Sequence, residues 1–182
     1  MRIYLVRHGE AAAAWGEDPD PGLSELGQTQ ANEAASSLQR LISREVNLLS
    51  SPLLRAQETA TPLAKALDLP VGIVDIYREV PAPVPFEQRQ AWLQGFMRGQ
   101  WSEQESSLLD WRQAIIAGLM SLPGDTVIFT HFLVLNAVVS SIQSQDKVVS
   151  YVPDNASITV LERSEDGLRL VALGREMETH IN

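Results

Sequence analysis

An α/β three-layer sandwich, with a largely parallel central sheet and helices on both faces, is the fold this sequence predicts. Three observations predict it. Short apolar runs of strand length alternate with longer stretches of helical periodicity, which calls for strand–helix–strand units. The first run, Arg2-Ile3-Tyr4-Leu5-Val6, stops abruptly at Arg7-His8-Gly9. A later run, Asp125-Thr126-Val127-Ile128-Phe129-Thr130, stops in the same manner at His131. Each brings a reactive side chain to the carboxyl edge of a sheet, where open α/β folds bind their ligands.

The elements follow in order. Gly9, with no Cβ, lets the backbone turn sharply after the first strand. Residues 11–22, with two prolines and two glycines, read as a surface loop. Ser24 caps a helix of about twenty residues whose buried face is Leu26, Ala31, Ala34, Ala35, Leu38, Leu41 and Ile42. Val46 to Leu49 is a short second strand. Pro52 suits the first turn of the next helix, which places Arg55 in that turn. An Arg there opposes the helix dipole by about 0.3–1 kcal/mol, and an anion between the two would remove the conflict.

Gly72 to Ile76 is a third strand, followed by Tyr77-Arg78-Glu79-Val80 and the prolines 81, 83 and 85, which forbid a helix. Helical stretches are expected near 86–99 and 105–121, the second started by a capping box of Ser102 and Glu105. Trp92, Trp101, Trp111, Phe86 and Phe96 all fall in this region. Most of them are expected in the core, with one or two forming a wall over the site. After His131 a helix runs to about Ile142. Ser157–Glu162 and Leu168–Leu173 form a closing hairpin turned at Glu165-Asp166-Gly167. His180 sits in a polar tail and is expected to be inert.

Length and composition bound the function. A chain of 182 residues suits one domain, 1–182, with a Pro- and Trp-rich helical insertion at about 77–124 covering the site. There are no cysteines, which excludes disulfides, thiolate metal sites and cysteine nucleophiles. No apolar run approaches the roughly 20 residues of a membrane span. The N-terminus reaches charged residues too soon for a signal peptide, so a cytoplasmic location is expected. The net charge of −9 argues against nucleic acid or anionic membrane as partner. A small phosphorylated molecule is expected instead, with a phosphoprotein as the alternative. The sequence carries no signal for an oligomeric state.

The residues collected at strand ends are His8, His131, Arg7, Arg55 and Glu79. Arg7 and Arg55 can each fork onto phosphate oxygens. His8 can attack phosphorus, and His131 can donate to the same oxygens. A carboxylic acid must protonate the leaving oxygen and later activate water. Glu79 is one candidate, with an ion pair to Arg78 or Arg89 as its ordinary alternative. Glu10 is the competing acid, with an ion pair to a nearby Arg as its own alternative.

Arg7-His8-Gly9-Glu10 resembles the signature of the histidine phosphatase superfamily, which includes the cofactor-dependent phosphoglycerate mutases. The resemblance continues through 23–31, through Ser51-Pro52-Leu53-Leu54-Arg55-Ala56-Gln57-Glu58-Thr59-Ala60, and through Arg78-Glu79, Thr130-His131 and Asn155-Ala156-Ser157. It implies a phosphoglycerate mutase-like fold and a phosphohistidine on His8. It implies a phosphate pocket of Arg7, Arg55 and His131, with Glu79 as acid and then base, and neither metal nor organic cofactor. The family usually has Gly after the second histidine, where this chain has Phe132-Leu133, so a bulkier pocket floor is expected. The expected activity is phosphomonoester hydrolysis of the histidine acid phosphatase type. Phosphoglycerate mutase-type transfer and a catalytically weak phosphate-binding or interaction module are the alternatives. A metal hydrolase using His8, His131 and a carboxylate is disfavoured, because adjacent arginines repel a divalent cation.

Overall fold

The computed structural model describes residues 1–13, 18–42 and 45–177. Its frame is a six-stranded sheet of β1 (Arg2–Arg7), β2 (Asn47–Ser50), β3 (Val71–Ile73), β4 (Thr126–Thr130), β5 (Ile158–Ser164) and β6 (Gly167–Ala172). The strand order is β3-β2-β4-β1-β5-β6. The strands β1 to β4 pair in parallel, and the closing β5–β6 hairpin is antiparallel to β1 and within itself. The helices are α1 (Glu25–Leu41), α2 (Leu54–Leu67), α3 (Arg89–Arg98), α4 (Ser106–Met120) and α5 (Phe132–Ile142).

Both faces of the sheet are covered, so the central strands are apolar without interruption, as parallel sheets require. Alternate residues sort to opposite faces. Ile3, Leu5 and Ile128 pack with α4, α5 and the aromatic region. Tyr4, Val6, Leu48, Val127 and Phe129 pack with α1 and α2. These two cores make the sandwich.

Register then places the strand-end residues. Arg7 lies opposite Thr130, and Ser50 lies opposite Phe129. The next residue along each strand, His8, His131 and Ser51, therefore leaves the sheet at the same edge, side by side.

Several local expectations are corrected. β3 ends at Ile73 rather than Ile76; it is an edge strand paired only to β2, and a 3₁₀ turn at Asp75–Tyr77 replaces its end. Leu26 and Leu41 are exposed at 52% and 53%, and the buried face of α1 is the small-residue stripe Gly27, Ala31, Ala34, Ala35 and Leu38. Pro52 precedes the N-cap Leu53 instead of entering α2. Ser102 does not cap α4: its hydroxyl and its N–H both donate to the Asp146 carboxylate, and Glu105 is itself the N-cap residue. Ser24 does cap α1, accepting the Gly27 N–H at 3.0 Å. Of the aromatics, Trp101 and Phe96 are buried and Trp92 stacks on Phe96. His180 lies outside the described residues.

Gly9 and Gly27 hold α1 against the loop after β1. A Cβ on Gly9 would come within 2.5 Å of the Gly27 carbonyl oxygen, and one on Gly27 would run into that of Glu10. Backbone meets backbone here, with no flexible side chain to yield. Gly27→Ala is accordingly expected to cost about 1–3 kcal/mol. Gly95→Ala, in α3 with nothing within 4 Å of the added carbon, is expected to add about 0.5–1 kcal/mol. Urea unfolding of the two variants beside the wild type checks both signs.

Candidate active site

His8 sits just past β1, its N–H donating to the Thr130 carbonyl at 2.9 Å and its own carbonyl accepting from Ala156 N at 3.2 Å. The backbone is thus held from two sides before the side chain is considered. The ring is buried, and its Nδ1 lies 2.7 Å from the Gly9 carbonyl. A carbonyl can only accept, so Nδ1 carries the proton and the lone pair is on Nε2. Arg55 Nε donates to that lone pair at 3.2 Å. Burial first, and then Arg55 and Arg7, lower the His8 pKa to about 3, so the ring is neutral at ordinary pH.

Arg55 stands in the first turn of α2, as its sequence position requires. The loop after β1 and the start of α2 are joined by Thr59, whose Oγ1 accepts from Gly9 N at 3.0 Å and donates to the Arg55 carbonyl at 2.6 Å. The conflict between Arg55 and the helix dipole is relieved by a carboxylate of the chain itself. Asp20 Oδ1 accepts the Leu54 N–H at 2.8 Å and lies 3.9 Å from Arg55 Nη1.

His131 is fully buried, with its ring centroid 5.2 Å from that of His8. Its Nε2 meets Ser51 Oγ at 2.7 Å. Ser51 Oγ also accepts the Leu53 N–H at 3.2 Å, and with one proton and a second lone pair it can give to or take from Nε2. His131 Nδ1 is a buried atom without a partner. Arg7 Nε is likewise buried and unpartnered. The rest of the Arg7 guanidinium is anchored by Nη1 on the Pro153 carbonyl at 2.8 Å and sits 5.3 Å from the Phe132 ring centroid. Phe132, expected as a bulky floor, thus supports a cation through its ring face. A buried guanidinium N–H without an acceptor is what an anion would satisfy, and the imidazole joins it in the tautomer that carries the proton on Nδ1.

Glu79 is buried, and its carboxylate accepts the Val80 N–H at 3.1 Å. Burial raises its pKa, and the Val80 N–H and Arg55 pull it back only in part. The ion pairs considered for it are not the ones formed: Arg78 pairs with Asp75, and Arg89 donates to the Val80 carbonyl. Glu10 turns the other way, accepting from Ser24 Oγ at 2.7 Å, and its N–H donates to Gln30. His8, Arg55 and Glu79 line one cleft of about 290 Å³, whose outer wall includes Pro81, Phe86 and Leu93. Phe86 is the aromatic that walls the site. Arg7 and His131 lie deeper, and the charge of Arg7 reaches His8, His131 and Glu79.

A sequence model described as the histidine phosphatase superfamily, branch 1, matches residues 3–176. The chain belongs to this superfamily. Among curated relatives, an uncharacterized protein of Picosynechococcus is 44% identical over 68 residues, 36% of this chain and 41% of its own length. The 55 kDa subunit of transcription factor tau from Saccharomyces cerevisiae is 32% identical over 119 residues, 54% of this chain and 27% of its own length. The histidine phosphatase chain described here thus matches less than half the length of either. Among solved structures, phosphoserine phosphatase from Entamoeba histolytica in complex with 3-phosphoglyceric acid superposes with a TM-score of 0.74 at 20% identity, covering 96% of each chain. A mycobacterial glucosyl-3-phosphoglycerate phosphatase superposes with a TM-score of 0.73 at 22% identity, covering 97% of this chain and 99% of its own. These similarities carry the fold.

The two deep histidines are expected to resist protonation. Because the His8 pKa falls from 6.5 to about 3 in the folded state, the unfolded chain binds the proton more tightly. Its contribution to stability is full above about pH 6.5 and declines toward pH 3, by about 1.4 kcal/mol per pH unit. Imidazole ¹⁵N shifts should report neutral rings for His8 and His131 at pH 5, with the His8 proton on Nδ1. A charged His8 at that pH would contradict the geometry.

Proposed function

We propose that this histidine phosphatase superfamily member is a phosphomonoester hydrolase acting through a phosphohistidine on His8. The observation that carries the reading is the 2.7 Å contact between His8 Nδ1 and the Gly9 carbonyl, which leaves a neutral ring with its lone pair on Nε2 inside an arginine-lined cleft. Both structural neighbours described above are named as phosphatases, which supports the same class.

The mechanism follows from what each group can give. The phosphoryl group displaces the Arg55 Nε–H from His8 Nε2, and the guanidinium swings onto its oxygens together with Arg7 Nε and His131 Nδ1–H. His8 Nε2 attacks phosphorus, forming the N–P bond as the ester P–O bond breaks. The positive charge growing on the imidazole is stabilised by its Nδ1–H on the Gly9 carbonyl. Glu79, its pKa raised by burial, transfers its proton to the leaving oxygen. As carboxylate it then takes a proton from water, which attacks phosphorus. The N–P bond breaks, the lone pair returns to Nε2, and inorganic phosphate leaves. No step calls for a metal, and two guanidiniums beside the phosphate supply the positive charge a cation would bring. The substrate proposed is a small phosphorylated molecule, met in the cytoplasm. Among the described residues no helix is long and apolar enough to cross a membrane.

Turnover of an aryl phosphate to inorganic phosphate, unaffected by a chelator and requiring no acceptor, is expected. Acid-quenched enzyme should carry acid-labile phosphate on His8, and His8→Ala should lose both label and turnover. Turnover that persists in His8→Ala would remove the mechanism.

Glu79→Gln separates the acid from the nucleophile. For an alkyl phosphate, whose leaving oxygen needs a proton, kcat is expected to fall by about 10²-fold or more. For p-nitrophenyl phosphate the rate of phosphoenzyme formation, read as the burst of p-nitrophenol, should fall much less, since the later hydrolysis that also uses Glu79 is common to both substrates. Equal losses in the rate of phosphoenzyme formation on both substrates would transfer the acid role away from Glu79.

A further inference from the structure

On the hydrolase reading, with Glu79 as its acid, the acid and the nucleophile must be set against each other across the cleft. His8 is fixed by the sheet, but the loop that carries Glu79 has left it. β3 ends at Ile73, and Val74 N makes a last backbone bond to the sheet, on the Ser50 carbonyl at 2.9 Å. A 3₁₀ turn at Asp75–Tyr77 follows, closed by Tyr77 N on the Val74 carbonyl and Arg78 N on the Asp75 carbonyl, which are bonds within the turn itself. Farther on, prolines 81, 83 and 85 have no N–H to give. Tyr77 and Val80, which bracket Glu79, are buried in the core. Apolar burial fixes how deep this segment lies, but it is non-directional and does not decide where a side chain between them points.

Among the described residues one directional bond still ties the segment to the sheet. Thr130 Oγ1 donates to the Tyr77 carbonyl at 2.8 Å. Thr130 is the last residue of β4 and is fully buried. Its own carbonyl accepts the His8 N–H at 2.9 Å, and the residue after it is His131. A single residue thus holds the nucleophile's backbone with its carbonyl and the acid's loop with its hydroxyl. The other directional contact, Arg89 on the Val80 carbonyl at 3.0 Å, comes from α3 and not from the sheet.

We propose that Thr130 is a positioning residue, whose hydroxyl on the Tyr77 carbonyl sets the aim of the Glu79 carboxyl relative to His8. Without that donor the Tyr77 carbonyl is buried and unpaired. The peptide then turns toward another partner, and the carboxyl that follows turns with it. The charges that reach Glu79 are those of Arg55, Arg89 and Arg7, and the Val80 and Leu133 N–H groups also favour its ionised form. A change of aim therefore alters the titration of Glu79 as well as its reach.

The test compares Thr130→Val, which removes the donor and keeps the shape, with Thr130→Ser, which keeps the donor. Phosphoenzyme formation is followed by rapid quench on an alkyl phosphate and by the p-nitrophenol burst, whose amplitude counts the active enzyme. In Thr130→Val the rate per active site should fall about tenfold or more on the alkyl phosphate and about threefold or less on p-nitrophenyl phosphate, whose leaving group needs little help. Thr130→Ser should recover most of the loss. In a Glu79→Gln background Thr130→Val should add little, because both changes act on one group. Damaged packing alone would strike both substrates alike. Equal losses on the two, or no recovery in Thr130→Ser, would overturn the proposal.

Carboxyl ¹³C shifts read Glu79 without turnover. Its pKa, raised by burial in the wild type, should stay raised in Thr130→Ser and fall toward the ordinary Glu value in Thr130→Val as the carboxyl gains solvent. A titration that Thr130→Val leaves in place would also overturn the proposal. A wild type that hydrolyses no phosphomonoester, while the titration moves as described, would refute the hydrolase reading and leave the placement of Glu79 by Thr130 standing.

Discussion

Much of this site depends on where a single proton sits. The Gly9 carbonyl, 2.7 Å from His8 Nδ1, holds that proton on the ring's inner nitrogen and turns the other nitrogen's electron pair toward Arg55. The carbonyl is itself fixed, because Gly9 N is bound to Thr59 and His8 N to Thr130. The sheet therefore acts on the chemistry through two hydrogen bonds and a side-chain hydroxyl. His131, on the next strand, meets the Ser51 hydroxyl through its Nε2. That hydroxyl arrives because β2 and β4 are parallel neighbours in register.

The architecture was legible because its signals were strong and local. The strands β1 and β4 are uninterrupted apolar runs, and each ends on a residue that no core would keep without a reason. Arg7, His8, Arg55, Glu79 and His131 could all be named from position relative to predicted strand and helix ends. What the sequence could not reveal were contacts across the chain. Ser51 was visible in a motif without a role, because its partner lies 80 residues away. Asp20 sits in a Pro-rich loop where nothing forecasts that it will meet the start of α2. Glu79, placed after the third strand, was the acid the sequence favoured over Glu10, and spacing left its ion pair to Arg78 or Arg89 open; in the fold Ser24 captures the Glu10 carboxylate, and Glu79 is buried. The capping box at Ser102 failed for the same reason, since Asp146 outcompetes the helix for its hydroxyl.

The aromatic region divides its labour. Trp101 and Phe96 are core, and Arg112 lies over the Trp101 ring at 4.4 Å while also donating to Ser140. This makes the region a firmly packed layer over α5. Phe86, 39% exposed, and Arg89 belong to its edge, where the cleft opens. A rigid interior with a variable rim is a natural division between what holds the fold and what meets a ligand.

The crossing of Gly9 and Gly27 bears on how such a protein can diverge. Most contacts between a helix and a loop are made of side chains, and evolution can adjust them by small steps, trading one methyl group for another. This crossing has no side chains to trade. The geometry around His8 is therefore inherited whole or lost whole, and a descendant seeking a new ligand has only the rim, from Pro81 to Leu93, on which to experiment.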